Sequence, residues 1–339
     1  APAPTENYTT SQSSAASDVY KRQGFSLIEM MLAMVIGIII MGGILSVYTN
    51  TRDLQRSSED QVNLVTDARF ALETIGYDLR HAGVFGGTNI PTLVSCRMGD
   101  ATCPAALPLA TGDCHNNWFI NIDQPVFGGE SVIPAGYTCI LNHQANTDVL
   151  VVRYADSNPV ATASLVPGTA YVRSNYLAGQ LFVGTAEPVI PDNNGTLTAN
   201  HQLYSRAYYI SNFTNTPGDG MPSLRRVDLI NGPQVQDQLI LPGATNLQVQ
   251  YGEDLDDDGS IDQFVNADAV TDFTRVSAAR LWVLIKTERE EKGLNTARTF
   301  TIAGNVVNTP NDGYRRLLIS SVIKMRNMVQ LDAKAAAGS

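Results

Sequence analysis

The chain has 339 residues, enough to bury a sizeable core, and its net charge of −10 leaves no basic surface. That charge argues against nucleic acid as a main partner, because duplex binding depends on Lys and Arg contacts to phosphates. With 44% hydrophobic and 17% charged residues, disorder of the whole chain is excluded as well.

The N-terminal part of the chain combines two positive charges with an uncharged apolar run. Residues 1–20 show no apolar period, and we interpret them as unstructured or foreign to the mature protein. Lys21 and Arg22 follow, and the 18 residues from Met30 to Val47 carry no charge. As a helix this run spans about 27 Å, enough to cross a bilayer. The charge asymmetry predicts one membrane pass with a cytoplasmic N-terminus.

The seven residues from Gly24 to Met30 read GFSLIEM and closely resemble the processing signature of type IV prepilins. The resemblance implies that a membrane prepilin peptidase cuts between Gly24 and Phe25 and methylates the new amino group of Phe25. It also implies that Glu29 pairs with the amine of a neighbouring subunit in the filament. A carboxylate at the edge of an apolar helix is costly, which also favours an ionic partner. The alternative is a glutamate at the lipid interface that pairs with nothing.

Beyond the apolar run, hydrophobic residues recur at spacings of three and four, which predicts an amphipathic helix that faces a β-domain. The predicted stripe consists of Leu54, Val62, Val65, Ala68, Leu72, Ile75 and Leu79. Gly83, Gly86 and Gly87 end this pattern, since glycine favours the conformation in which a helix stops. We predict a removed leader over 1–24 and a single helix over 25–82, which spans the membrane over about 25–48.

From Val84 onward, short runs of β-branched and aromatic residues alternate with Pro and Gly, which predicts strands. The runs are 148–154, 171–172, 181–183, 203–210, 247–251, 278–287, 299–302 and 317–325. The predicted fold class is therefore α+β, with a long N-terminal helix packed on a C-terminal antiparallel β-sheet head over 83–335, as in pilins.

Four cysteines lie close together in the first part of this head, at Cys96, Cys103, Cys114 and Cys139. Clustered cysteines in a chain that leaves the cytoplasm usually oxidise, so we predict two disulfides. Buried free thiols are the alternative, and the spacing does not choose among the three possible pairings.

A run of aspartates, DLDDDGSID, fits the spacing of oxygen ligands in calcium loops. The candidate Ca²⁺ ligands are Asp254, Asp256, Asp258 and Asp262. Val265 stands where a full EF-hand has its bidentate Glu. The alternative is a solvated acidic turn without a metal.

Near the C-terminus, the segment from Asp312 to Asn327 resembles the end of PilW-type minor pilins, and the segment from Tyr251 to Asp262 does so too. With the prepilin signature, this resemblance implies a minor pilin of a Gram-negative bacterium, in the priming and tip complex of a type IV pilus. The implied partners are other minor and major pilins, the prepilin peptidase, the inner-membrane assembly platform and a tip adhesin. The head would lie in the periplasm first and in the extracellular pilus afterwards.

Catalytic signatures such as HExxH, a P-loop or GxSxG do not occur in the sequence, so we predict that the protein is not an enzyme. Two alternatives remain open. One is a minor pseudopilin of type II secretion, similar to the GspJ kind. The other is a periplasmic binding or enzymatic domain that uses a prepilin-like segment only as its anchor.

Overall fold

In the computed structural model, the described part of the chain forms two units, which meet in the sequence between Ser58 and Glu59. The described residues are 25–100, 103, 107, 118–191, 197–295 and 297–328. Gly24 lies outside them.

One long helix, α1, runs from Leu27 to His81 and comprises 55 residues. Leu, Met, Ala, Glu and Arg, which are strong helix formers, make up much of its sequence. The helix ends shortly before Gly83 and Gly86, which have positive φ angles of 81° and 72°. Such angles are unfavourable for residues with a Cβ atom, so these glycines allow the chain to leave the helix.

Within the first unit, residues 25–56 are all exposed. An 18-residue window of α1 near the N-terminus has a mean hydropathy of 2.5 and is not buried at all. Among the described residues, α1 is the one helix long and apolar enough to cross a membrane.

Within the second unit, α1 buries one face against the head. The buried apolar residues are Leu64, Ala68, Ala71, Leu72, Ile75 and Leu79. The predicted stripe is wrong at its N-terminal end, because Leu54, Val62 and Val65 are 73%, 62% and 40% exposed. At 100° per residue Val62 lies about 200° from Leu64, on the opposite side of the helix. Leu54 belongs to the first unit.

The head contains two main sheets and one hairpin. The strands of the large sheet are β1 (Val94–Ser95), β2 (Val126–Gly129), β3 (Val149–Ala155), β4 (Ala170–Ser174), β5 (Gly179–Val183), β6 (Ala199–Ser211), β7 (Ser223–Ile230) and β8 (Gln234–Pro242). The small sheet has β9 (Ala244–Glu253), β10 (Gln263–Asn266), β11 (Val276–Lys286) and β14 (Arg316–Lys324). The hairpin consists of β12 (Thr299–Ile302) and β13 (Asn305–Asn308).

The small sheet has the order β10-β9-β11-β14 and is antiparallel throughout. The large sheet follows β1-β5-β4-β6-β3-β2, and β7 joins β6 to β8. Its one parallel pair, β1 with β5, departs from the predicted antiparallel pattern. β3 is buried along its whole length. Leu150 and Val152 pack in the core that α1 shares with both sheets, while Val149 and Val151 pack in a second core.

Candidate processing, assembly and metal sites

At the start of α1, the predicted processing residue Phe25 and the predicted assembly residue Glu29 lie close together in the sequence. Phe25 is 90% exposed and directly precedes the helix. The backbone N–H of Ser26 donates to Glu29 Oε2 at 2.9 Å. Ser and Glu three residues apart form one half of a capping box, in which the glutamate satisfies a backbone donor at the helix start. Glu29 thus has a partner within its own chain, which the spacing S-x-x-E predicts and which our reading of the sequence missed.

Further along the apolar part of α1, Gly37, Gly42 and Gly43 have open space around them. A Cβ atom added at any of the three would meet no atom within 4 Å. No contact within the described chain therefore requires glycine at these positions. They leave a smooth helix surface that another helix is able to approach closely.

The aspartate loop connects β9 to β10 and brings three of the four predicted ligands together. Asp254, Asp256 and Asp262 each offer a carboxylate oxygen, and these oxygens lie within 4.8 Å of one another. Among the described residues this is the one group of three or more His, Cys, Asp or Glu side chains so arranged. Asp258 is not in the group, and its Oδ1 accepts the backbone N–H of Ser260 at 2.7 Å.

Backbone hydrogen bonds hold this loop in shape. Asp254 is buried and accepts the N–H groups of Asp258 and Gly259 at 3.1 and 2.8 Å. Gly259 has a φ of 86°, which supplies the sharp turn predicted from the sequence. Arg275 donates to Leu255 O at 2.7 Å, so one positive side chain lies close to the loop. The arrangement offers oxygen ligands of the type that Ca²⁺ prefers.

A buried ionic cluster joins α1 to the large sheet, and the sequence reading did not find it. Asp78 is 1% exposed and accepts hydrogen bonds from Tyr154, at 2.8 Å, and from Tyr208. Arg206 Nη1 lies 2.6 Å from Asp78 Oδ1, and Arg206 Nε lies 2.8 Å from Asp228 Oδ1. Burial, and then the charge of Asp78, raise the pKa of Tyr208 above its usual range.

The cysteines are oxidised as far as the structure describes them. Cys96 and Cys103 form a disulfide with a Cα–Cα distance of 4.5 Å. Cys139 is disulfide-bonded too, and Cys114 lies outside the described residues. The prediction of disulfide bonding is therefore confirmed for Cys96, Cys103 and Cys139, and the first pairing is now assigned.

Comparison with known proteins gives two family matches. The prokaryotic N-terminal methylation motif matches residues 20–45. The family described as type IV pilus-assembly protein W, PilW, matches residues 207–327, which include β7 to β14 and the aspartate loop. Neither family covers residues 46–206, which include the disulfide region.

Among solved structures, the chain is similar to the type IV-like pilin TTHA1219 from Thermus thermophilus. The two are 19% identical, and the match covers 48% of this chain and 85% of that one with a TM-score of 0.24. At that TM-score the likeness supports no conclusion about this fold. The comparison with curated proteins returned no match.

Proposed function

We propose how this chain, a minor pilin of the type IV pilus with an N-terminal methylation motif and a PilW domain, enters its filament. The peptidase cuts after Gly24 and methylates Phe25. The apolar part of α1 holds the subunit in the inner membrane, with its N-terminus in the cytoplasm and its head in the periplasm. Assembly then moves the subunit into the priming and tip complex of the pilus.

The observation that carries this proposal is the exposure of the apolar half of α1. Water does not solvate such a surface favourably, since burying apolar area contributes about 25 cal/mol per Å². Lipid covers it before assembly, and the helices of neighbouring pilins cover it afterwards. Both environments suit a helix, which satisfies its own backbone hydrogen bonds.

Other minor and major pilins are the proposed partners, together with the peptidase, the assembly platform and a tip adhesin. We propose no catalytic role for the head. Its sheets and buried ionic cluster form a packed body, and such a body suits contacts with neighbouring subunits.

Mass spectrometry of protein recovered from cells with an active prepilin peptidase tests the first step. We expect a mature N-terminus at Phe25 that carries one methyl group. A Gly24→Val variant should keep its leader, because a branched side chain hinders close approach to the bond that is cut. An intact bond before Phe25 in the unaltered protein would overturn the proposal.

Deletion of the gene tests the assignment to a pilus. We expect loss of surface pili and of twitching motility, with both restored by a plasmid copy. Intact pili with a loss of protein secretion would instead assign the chain to a type II secretion pseudopilus. The minor subunits that co-purify with the chain distinguish the two systems independently.

We also propose that the aspartate loop binds Ca²⁺ as a structural ion, with Asp254, Asp256 and Asp262 as ligands. Its three carboxylate oxygens are close enough to share one ion, and calcium sites of extracellular modules bind at about 10⁻⁴ to 10⁻³ M.

Calorimetric titration of the chelator-treated, detergent-solubilised chain should show saturable binding in that range. Asp256→Asn should weaken it, whereas Asp257→Asn, in the same loop but outside the group, should not. If calorimetry shows no heat of binding at millimolar calcium, the proposed Ca²⁺ site is wrong.

A further inference from the structure

A polar cleft of about 670 Å³ lies in the head, and no residue of the aspartate loop lines it. Residues of β9, β11, β13 and β14 line it, together with two loops around Asn146 and Pro222. Its volume lies within the range of small-molecule sites. The buried ionic cluster around Asp78 contributes no residue to this lining either.

Side-chain amides form much of the lining, and one of them has an unused oxygen. Asn246 is 6% exposed, and its Nδ2 donates to Asn146 O at 3.3 Å. Its Oδ1 is buried and has no hydrogen-bond partner among the described residues. A buried acceptor without a donor destabilises the fold, because it has lost its hydrogen bonds to water. Gln144, Asn305 and Asn308 add further amides to the lining. The cleft therefore suits a ligand that brings hydroxyl groups, which both donate and accept.

The cleft also holds a cation whose charge no neighbouring carboxylate neutralises directly. Lys286 lines the cleft, is 9% exposed and places its Nζ 4.2 Å from the centre of the Tyr314 ring. Among the described residues it forms no ion pair. Asp312 and Glu290 lie near enough for their charges to offset part of the fall in the Lys286 pKa. Asp312, however, is bound in a bidentate pair by Arg316 at 2.6 and 2.7 Å. Burial, followed by the charge of Arg316, lowers the pKa of Lys286. An anion bound beside Lys286 would therefore offset the unfavourable desolvation of the lysine charge.

The strands under the cleft favour a small ligand over a peptide. β9 pairs with β10 and β11, and β11 pairs with β9 and β14. At the cleft this two-sided pairing holds for β11, which pairs with β14 up to Lys286 and with β9 up to Ile285, so an added peptide strand would find no free edge on β11. Where β11 lines the cleft, a ligand therefore meets side chains rather than free backbone groups.

We propose that this cleft binds a small acidic sugar, with its carboxylate at Lys286 and its hydroxyl groups at the amides of Asn246, Asn305 and Gln144. This would give the head a ligand-binding activity in addition to its role as a filament subunit, and it does not depend on that role.

Calorimetry on the full-length chain tests the proposal, in a zwitterionic detergent that has no sugar headgroup. The probes are glucuronate, galacturonate and mannuronate, each compared with its neutral sugar and with acetate. We expect at least one uronate to bind saturably and at least about tenfold more tightly than its neutral sugar and acetate, because a charge-assisted hydrogen bond contributes about 1.5–3 kcal/mol. If no uronate binds more tightly than its neutral counterpart, the proposal is overturned.

Three variants locate the binding. Lys286→Met removes the charge but keeps an apolar side chain of similar length, and should weaken uronate binding about tenfold or more. Gln144→Glu places a carboxylate in the lining from a partly exposed position and should weaken it as well. Lys324→Met, the same change at an exposed site on β14 outside the cleft, should leave it unchanged. Equal binding by all three would show that the sugar binds elsewhere and overturn the assignment.

Discussion

Single residues in the head contribute to its stability far more than their local sequence indicates. Asp78 occupies one position of an amphipathic helix, where a lone acid is normally solvated. Its partners Tyr154, Arg206 and Tyr208 follow 76 to 130 residues later in the chain. The sequence carries no local signal for such long-range pairing, so only the fold identifies this aspartate as buried and fully hydrogen-bonded.

Replacement of Asp78 by Ala should destabilise the head by about 3–5 kcal/mol, because it leaves buried donors and a buried Arg206 charge less well compensated. Asp237 is the matched control, since it pairs with Arg225 at 2.8 Å but keeps 32% of its side chain exposed. Asp237→Ala should cost about 1 kcal/mol or less. Urea unfolding followed by tryptophan fluorescence measures both. Equal effects would mean that the cluster contributes no more than a surface pair.

The pH dependence of stability should report on Asp148, whose pKa burial raises to about 6. Its carboxylate accepts backbone N–H groups from Ser131 and Val249 at 2.9 and 2.8 Å, but these bonds do not offset its desolvation. The folded protein therefore binds this proton more tightly than the unfolded chain, whose aspartates titrate near 3.9. The resulting stabilisation is complete below about pH 4 and is lost as the pH rises through about 6.

Asp148→Asn isolates this contribution, because asparagine does not titrate. Between pH 4 and 7 the unfolding free energy of the unaltered protein should fall by about 2 kcal/mol relative to that of the variant. Urea unfolding at several pH values gives this difference directly. A difference that stays constant with pH would show that Asp148 keeps an ordinary pKa.

Elements were predictable from the sequence where their faces differ clearly in polarity. β3 and β11 are apolar over most of their length, because both contribute to the buried core, and both were predicted. β7 and β8 were missed. β8 has exposed Gln and Asp residues and pairs with a single neighbour, and β7 carries Arg225 and Arg226 next to each other. Arg225 pairs with Asp237 of β8, and Arg226 pairs with Asp228 of its own strand, so no apolar alternation marks the strands.

The turn that follows α1 offers a test of steric constraint on an element. Gly86 and Gly99 both have positive φ angles, 72° and 79°. A Cβ atom at Gly86 would overlap Ser174 Oγ and the His201 ring, whereas a Cβ at Gly99 would meet nothing within 4 Å. Gly99→Ala should therefore show only the backbone strain, about 1–2 kcal/mol. Gly86→Ala should cost about 1–3 kcal/mol more, as overpacking does.

Unfolding experiments on the two variants decide this prediction. Equal losses would mean that Ser174 and His201 move aside without cost. That outcome is disfavoured by the Ser174 hydroxyl, which donates to Phe85 O at 2.6 Å and accepts from Gly87 N at 2.8 Å.

For the molecule as a whole, the sequence predicted the helix, the β-rich head and the processing motif, because each has a strong periodic or positional signal. The sequence predicted neither the cleft nor which three of the four aspartates lie close together. Asn246 and Lys286 lie on different strands, and their meeting at one cleft depends on strand order. Asp258 follows the ligand spacing, but the folded loop does not bring its carboxylate together with those of the other three aspartates.

At the scale of the whole filament, Glu29 in the first turn of α1 has two competing partners. Its carboxylate caps the backbone of Ser26 in the single chain, whereas in the filament we propose that it pairs with the Phe25 amine of a neighbour. Glu29→Gln separates these roles, because glutamine also serves in a capping box but carries no charge. We expect the variant to insert and to be processed normally, yet to be at least about tenfold depleted from sheared pili, since a neutral amide gives up the charge-assisted bond. Glu73→Gln, the same change at an exposed position of α1, is the control and should enter pili normally. Immunoblots of membrane and sheared fractions measure both, and equal recovery of the two variants in pili would refute the ion pair.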